Sequence, residues 1–373
     1  MKASVLFGAG WEDDSLEVLW QDAGRVFCSL RRDDAEGETH AFIPITSGAE
    51  HPTLESASRL THEYELQRYL DSAWALRPLE LVRERGQTIL VVDYTGGEPL
   101  DRLVGQPMEI GAFLRIAAAL SGAVGQLHGC GLIHKDLKPA NVLVDAATGR
   151  VQLAGFGIAS RLPRERQSPE PPEFIAGTLA YMAPEQTGRV NRSIDSRSDL
   201  YSLGVTFYEM LTGALPFAAS DAMEWVHCHI ARQPIAPSER LPRVPDAVSA
   251  ITMKLLSKTA EDRYQTAAGV ERDLRRCLSQ WESRGSIDVF TAGADDTPDR
   301  LLIPEKLYGR DREVDFHGRE FGRVARLDDA AHDVLPRRTV GEADVGGTLD
   351  ARHLRLEALV VRRLRANGRD AHQ

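Results

Sequence analysis

The sequence predicts an α+β chain of two lobes: a small antiparallel β-sheet carrying one helix, then a larger lobe that is mainly α-helical. Two changes of period predict it. Within residues 15–94 the β-rich runs 16–19, 26–30, 40–45 and 88–94 are short, as strands of one sheet are. Between them, 58–70 spaces Leu60, Leu66 and Leu70 among charges, which supplies the lobe's helix. Past the turn at Gly96 and Gly97 the period lengthens. Residues 110–128, 197–211, 222–231, 247–256 and 267–281 all read as helices. No internal repeat with a period of about 20–50 residues is present, which excludes a solenoid or propeller.

The 373 residues are 42% apolar and 27% charged, enough to bury a substantial core. A net charge of −10 leaves no basic excess to displace the counterions of a polyphosphate, so nucleic acid is not an expected partner. Cys28, Cys130, Cys228 and Cys277 lie far apart and form no paired spacing, which fits a reducing, cytoplasmic setting. Val5, Leu6 and Phe7 run into Trp11, Glu12 and Asp13 too soon for a secretion signal. The apolar stretches 113–124 and 201–217 are interrupted by Arg115 and Glu209, so no transmembrane segment is expected. His227, Cys228 and His229 are adjacent, hence on different faces of a helix, and do not make a metal site.

The strongest motif is 134–143, His-Lys-Asp-Leu-Lys-Pro-Ala-Asn-Val-Leu, followed in order by Gly-Thr-Leu-Ala-Tyr-Met-Ala-Pro-Glu at 177–185, Asp-Leu-Tyr-Ser-Leu-Gly at 199–204, and Arg263. Order and spacing over roughly 15–282 resemble a protein kinase of the serine/threonine type, which implies the two-lobed kinase-like fold. The resemblance implies that Asp136 accepts the proton of a substrate hydroxyl, that Asn141 holds magnesium, and that Lys138 offsets charge on the phosphoryl oxygens. It implies structural roles for His134, Glu63, Thr178 and Asp199, with Asp199 capping the catalytic loop, and an ion pair between Glu185 and Arg263. ATP and Mg²⁺ are the implied cofactors, and a protein substrate the implied partner. The run 89–94 followed by Gly96, Gly97 and Glu98 resembles the kinase hinge, so Gly24, Val26, Ala41, Asp93, Glu98 and Leu143 are the expected nucleotide-binding residues.

Three departures set an expectation of impaired phosphotransfer. The glycine-rich loop reads Leu-Trp-Gln-Asp-Ala-Gly-Arg-Val-Phe at 19–27, where Gly24 survives and Asp22 brings negative charge toward the triphosphate. Ile43 stands where the third strand supplies a phosphate-gripping lysine, and no lysine occurs between Lys2 and Lys135. Arg25, Arg31 and Arg32 are the substitute cations in reach. Gly155 replaces the aspartate of the Asp-Phe-Gly triplet, which leaves magnesium to Asn141, water and nucleotide, so a weak metal site is expected.

Ser168 and Thr178 lie in what the resemblance implies is the activation segment, where an added phosphate is expected to pair with Arg161, Arg164 or Arg166. The domain expectation is an extension at 1–14, an N-lobe at 15–94, a C-lobe at 95–282, a linker at 283–308 and an Arg-rich tail at 309–373, truncated or disordered. Residues 161–167 and 223–229 resemble the N-terminal kinase-like module of large bacterial signalling proteins in which an AAA-type ATPase, a GAF sensor and a histidine kinase follow, and residues 299–310 resemble the entry to that ATPase. No GxxxxGK[ST] loop follows here, and the expectation is a truncated or frameshifted end. Three functions stay open: a slow serine/threonine kinase, a nucleotide-binding pseudokinase, and a structural interaction module regulating a partner histidine kinase.

Overall fold

Strand alternation sorts the N-terminal apolar residues onto two faces of one sheet. Trp20, Phe27, Ile43, Ile45, Leu90 and Val92 form the inner cluster with Leu60 of the helix, while Val26, Cys28, Ile89 and Val91 cluster on the outer face. The computed structural model describes residues 17–297 apart from 23–24, 34–38, 48–52, 85, 146–147, 162–177 and 191. Its first five strands are β1 (Glu17–Asp22), β2 (Arg25–Asp33), β3 (Thr39–Ser47), β4 (Pro78–Glu84) and β5 (Gln87–Asp93), antiparallel in the order β1-β2-β3-β5-β4. Strand β4 was not expected from its composition. It opens on proline and lies at the sheet edge, where a missing amide hydrogen removes no ladder bond.

Helix α1 (Leu54–Glu65) begins earlier than its apolar spacing suggests, because Thr53 caps it by accepting the Ser56 amide at 3.1 Å. The chain then tightens into a 3₁₀ turn at Gln67–Tyr69, so the predicted continuation to Leu70 is not α-helix. Leu60 and Glu63 are its buried residues, and α1 lies against β4 and β5.

The larger lobe is built on α2 (Ile110–Gly129), α3 (Ser196–Thr212), α4 (Ala222–Ile230), α5 (Asp246–Leu255) and α6 (Ala267–Arg284). By length and apolarity α2 would cross a bilayer, but Phe113, Leu120, Val124 and Leu127 are buried in the core, with Phe113 edge-on to Phe207 of α3 at 5.5 Å. A three-stranded sheet of β6 (Glu98–Pro99), β7 (Val142–Val144) and β8 (Val151–Leu153) sits near the lobe junction. There the Leu153 amide donates to Trp74 and the Leu76 amide to Leu153, each at 2.8 Å. The fold is thus the two-lobed α+β arrangement that the sequence predicted.

Residues 286–297, expected as linker, instead pack back on the C-lobe: Ile287 and Phe290 lie against its core, and Asp273 accepts the Gly293 amide at 2.7 Å. Apolar side chains at 287 and 290 explain the difference, because leaving them in water costs more than folding this short segment back. The extension at 1–14 and the tail at 309–373 lie outside the described residues.

One ion pair anchors the C-lobe. Arg263 meets Glu185 through two parallel bonds, Nη1 to Oε1 at 2.6 Å and Nη2 to Oε2 at 2.8 Å, with both side chains buried. Burial alone would push the Glu185 carboxyl up, but the Arg263 charge and bonds from Arg263 and Ser198 outweigh it and hold it below the ordinary range. Arg263→Ala leaves that carboxylate buried and unpaired, so we expect a loss of about 3–5 kcal/mol in urea unfolding. An unchanged midpoint would contradict the pair's structural weight.

Candidate functional site

The loop after α2 is held by a carboxylate from below. Asp199, fully buried in the first turn of α3, accepts the backbone amides of His134 at 2.8 Å and Lys135 at 2.9 Å, and His128 Nε2 at 2.9 Å. Burial pushes its carboxyl up; the His128 bond and the other donors overcome this, so it stays ionised below the ordinary value. These bonds hold Lys135 at φ +68°, a left-handed conformation that costs a non-glycine residue about 1–2 kcal/mol. His134 is buried beneath the loop and donates from Nε2 to the Ala154 carbonyl at 3.0 Å.

That backbone brings four polar side chains together. Asp136 accepts the Thr178 amide on Oδ1 at 3.0 Å and Asn141 Nδ2 on Oδ2 at 3.0 Å. Lys138 Nζ donates to Thr178 Oγ1 at 2.9 Å and lies 3.8 Å from Asp136 Oδ2. The loop therefore presents a carboxylate, an ammonium and an amide within one hydrogen-bonded cluster. Such a set can orient a hydroxyl and neutralise an anion.

The N-lobe supplies what the sequence did not announce. Lys138 Nζ lies 3.0 Å from each Asp22 carboxylate oxygen, and Arg25 Nη2 donates to Asn141 Oδ1 at 2.8 Å and to Asp22 Oδ2 at 3.0 Å. The end of β1 and the start of β2 thus close over the loop, and Arg102 donates to the Leu19 carbonyl beside them. The signal was an acid and a base three residues apart at a hairpin turn, which composition alone assigns to solvent.

Aromatic packing completes the closure. Trp20 stacks on Phe27 at 4.3 Å and 14°, and both are buried in one cluster with Leu143 and Ala154, against which Tyr94 packs. Leu143 was expected to face a purine; it is 1% exposed. Val26, expected opposite it, lies on the outer face with Cys28 and Val91, because β2 alternates and Phe27 takes the inward position. Gly24 lies outside the described residues. Ala41 is in β3 opposite Arg31, as Arg32 is opposite His40, and the side chains of Ala41, Arg31 and Arg32 are outside the described ones. Asp93 accepts Ser72 Oγ at 2.7 Å, and Glu98 pairs in β6 with Val144, so neither reaches the cluster of Asp136, Lys138 and Asn141 through a described bond. Arg161 lies over the Tyr69 ring at 4.2 Å, while Arg164, Arg166 and Ser168 are outside the described residues.

The metal pattern does not fit. Gly155 brings no oxygen, its φ is +81°, and a Cβ there would stand 2.5 Å from Asn141 Oδ1, so an aspartate in this backbone would be strained and would have to displace the Asn141 side chain. The Asn141 oxygen itself accepts from Arg25. Among the described residues no group of three or more His, Cys, Asp or Glu side chains is placed to hold a metal ion.

Ile43 is fully buried in the inner cluster, so Glu63 of α1 has no lysine partner there. Glu63 is 1% exposed and its Oε1 has no hydrogen-bond partner among the described residues. Burial pushes its carboxyl up, with the Arg25 charge and the Phe156 and Gly155 amides opposing. A raised folded-state value means that Glu63 favours folding when protonated; the contribution is fully present below the ordinary glutamate value of about 4.3 and is lost as pH rises through the folded one. Glu63→Gln, which cannot titrate, should gain thermal stability relative to the parent between pH 4 and pH 7.5. A gap that narrows over that range would contradict this.

Comparison with known proteins agrees with this layout. The chain is 34% identical over 194 residues to the serine/threonine-protein kinase Pkn1 of Myxococcus xanthus, covering 51% of this chain and 28% of that protein. It is 37% identical over 192 residues to the serine/threonine-protein kinase PknB of Mycobacterium leprae, covering 51% and 30%. It is 28% identical over 294 residues to the hybrid signal transduction histidine kinase G of Dictyostelium discoideum, covering 56% and 8%. The chain thus spans less than a third of the length of each of these relatives. The protein kinase domain family matches residues 30–274, well over half of the sequence, and the chain belongs to that family.

Proposed function

We propose that this chain is a serine/threonine-type kinase domain that works as a nucleotide-responsive pseudokinase, slow in phosphotransfer and regulating a signalling partner. The observation that carries the reading is the closure of the hairpin: Lys138 and Asn141, the loop groups that the family directs at phosphate and metal, are engaged by Asp22 and Arg25 of the same chain. Two electrostatic stabilisers are missing at the reacting end, with isoleucine at 43 and glycine at 155. Removal of one such group typically costs about a hundred- to a thousandfold in rate, and paired losses add incompletely.

Nucleotide responsiveness is favoured by the quality of the seat. Trp20 Nε1 in the hairpin and Glu63 Oε1 on the neighbouring α1 are both buried without partners among the described residues, and each such group costs about 1–3 kcal/mol. A hairpin seated with unsatisfied groups is displaceable by a ligand that satisfies them. The cations in the cleft, Lys138 and Arg25, select an anionic ligand, and the run 89–94, which resembles the kinase hinge, would lie along a base. Asp136 would take a serine or threonine proton in the residual reaction. A cavity of about 320 Å³ beside Lys138 and Thr178, lined also by Asp101, Tyr181 and Glu209, is where a protein substrate would approach. Regulation of a histidine kinase partner is in keeping with the similarity to a hybrid histidine kinase.

Two measurements test the proposal together. ATP should raise the melting temperature by mass action, nearly equally with magnesium or with EDTA, because the metal ligands are incomplete. Labelled phosphate transfer to serine or threonine should run at least about a thousandfold below the ordinary kinase range of about 1–100 per second, and vanish in Asp136→Asn. Transfer at ordinary speed, or no response to ATP, would refute it.

A further inference from the structure

We infer that Arg25 is the phosphate-binding cation of this domain, and that Glu63 is the partner it takes up when Asp22 is displaced. The inference deepens the nucleotide reading above and rests on it. In a lysine-based site one strand-three ammonium grips the phosphates and is oriented by a carboxylate on the helix behind. Here the carboxylate is in place and the ammonium is not, for Ile43 is apolar and fully buried.

Arg25 and Glu63 line the same cavity of about 250 Å³, together with Asp136 and Gly155. The guanidinium and the carboxylate thus border one cavity, and the Arg25 charge already acts on the Glu63 carboxyl. The other cation lining the cavity is Arg59, and it is bound on the exposed side of α1 by Glu55 at 2.6 Å. Arg25 enters at the first residue of β2, its guanidinium 5.2 Å from the centre of the Phe27 ring, so the strand that closes over the loop also aims it.

In the closed form Arg25 holds Asp22 and Asn141, and Glu63 Oε1 is left without a donor. A phosphate arriving at Lys138 takes the position of the Asp22 carboxylate, being the same kind of anion with more charge. Asp22 then leaves, and the guanidinium turns to Glu63 Oε1, the oxygen lining this cavity that lacks a donor among the described residues. It has five N–H groups in a rigid fork, enough to serve a carboxylate on one edge and a phosphate on the other. The exchange couples nucleotide binding to α1, the helix on which Glu63 sits. No metal is needed for it, which matches the defect at Gly155.

The test uses the full chain in EDTA, with ATP and adenosine as ligands and calorimetry as readout. Asp22→Asn, which weakens the competing anion, should bind ATP more tightly than the parent. Adding Arg25→Ala to that background should weaken ATP about tenfold to a hundredfold and leave adenosine unchanged, the loss of one charge-assisted contact. Adding Ile43→Lys to the pair should restore the preference for ATP over adenosine, because a lysine on β3 meets Glu63 directly. Should Ile43→Lys prevent folding, Arg25→Lys in the Asp22→Asn background replaces it and should retain part of the preference. If Asp22→Asn and its Arg25→Ala derivative bind ATP equally, the assignment of Arg25 is wrong and the nucleotide reading stands. If neither the parent nor Asp22→Asn binds ATP, both fall.

Discussion

A buried ammonium must find an anion, and in this protein Lys138 finds it in the hairpin above. Its Nζ is 3.0 Å from both oxygens of Asp22, with Thr178 Oγ1 and, at the longer distance of 3.8 Å, Asp136 Oδ2 as its further partners. Unpaired at that depth, the charge would cost several kcal/mol. The closure of β1 and β2 over the catalytic loop is the arrangement that meets this need without any bound molecule. Arg25 follows Asp22 down to Asn141, and the stacked Trp20 and Phe27 fill the space over Leu143. One electrostatic requirement in the loop thereby fixes the shape of the whole cleft.

Below the cleft the lobe is complete. Asp199 holds the loop backbone from α3, and the Glu185–Arg263 pair ties the end of the activation segment to the segment before α6. These groups build a platform that any member of the family needs, whether or not chemistry follows. The divergence lies above, where strand three and the metal triplet meet the triphosphate in a working enzyme. Under the proposed function, a domain with an intact platform and altered upper contacts changes shape on ligand binding more than it turns over substrate.

The sequence made the platform legible because the relevant residues stand in fixed local order: 134–143 on one loop, 177–185 and 199–204 downstream, and a single late arginine. The helices were legible from their period, apart from their ends, which depend on caps such as Thr53. Strand β4 was not, since its charged alternation and leading proline resemble an exposed turn. The cleft was the least legible part. Asp22 reads as a charge that repels nucleotide, but across 116 residues it meets Lys138, a pairing that no local pattern encodes. Likewise Val26 and Phe27 differ by one position, and only the register of β2 decides which faces inward.

The most direct measurement of the central claim is a double-mutant cycle between Asp22 and Lys138, each changed to alanine, followed by urea unfolding of the full chain without nucleotide. The closed hairpin predicts a coupling of about 1–3 kcal/mol, favourable in sign, as contacting charges in a shared network give. Additive effects, with a coupling within about 0.3 kcal/mol of zero, would mean that the hairpin does not rest on the catalytic loop.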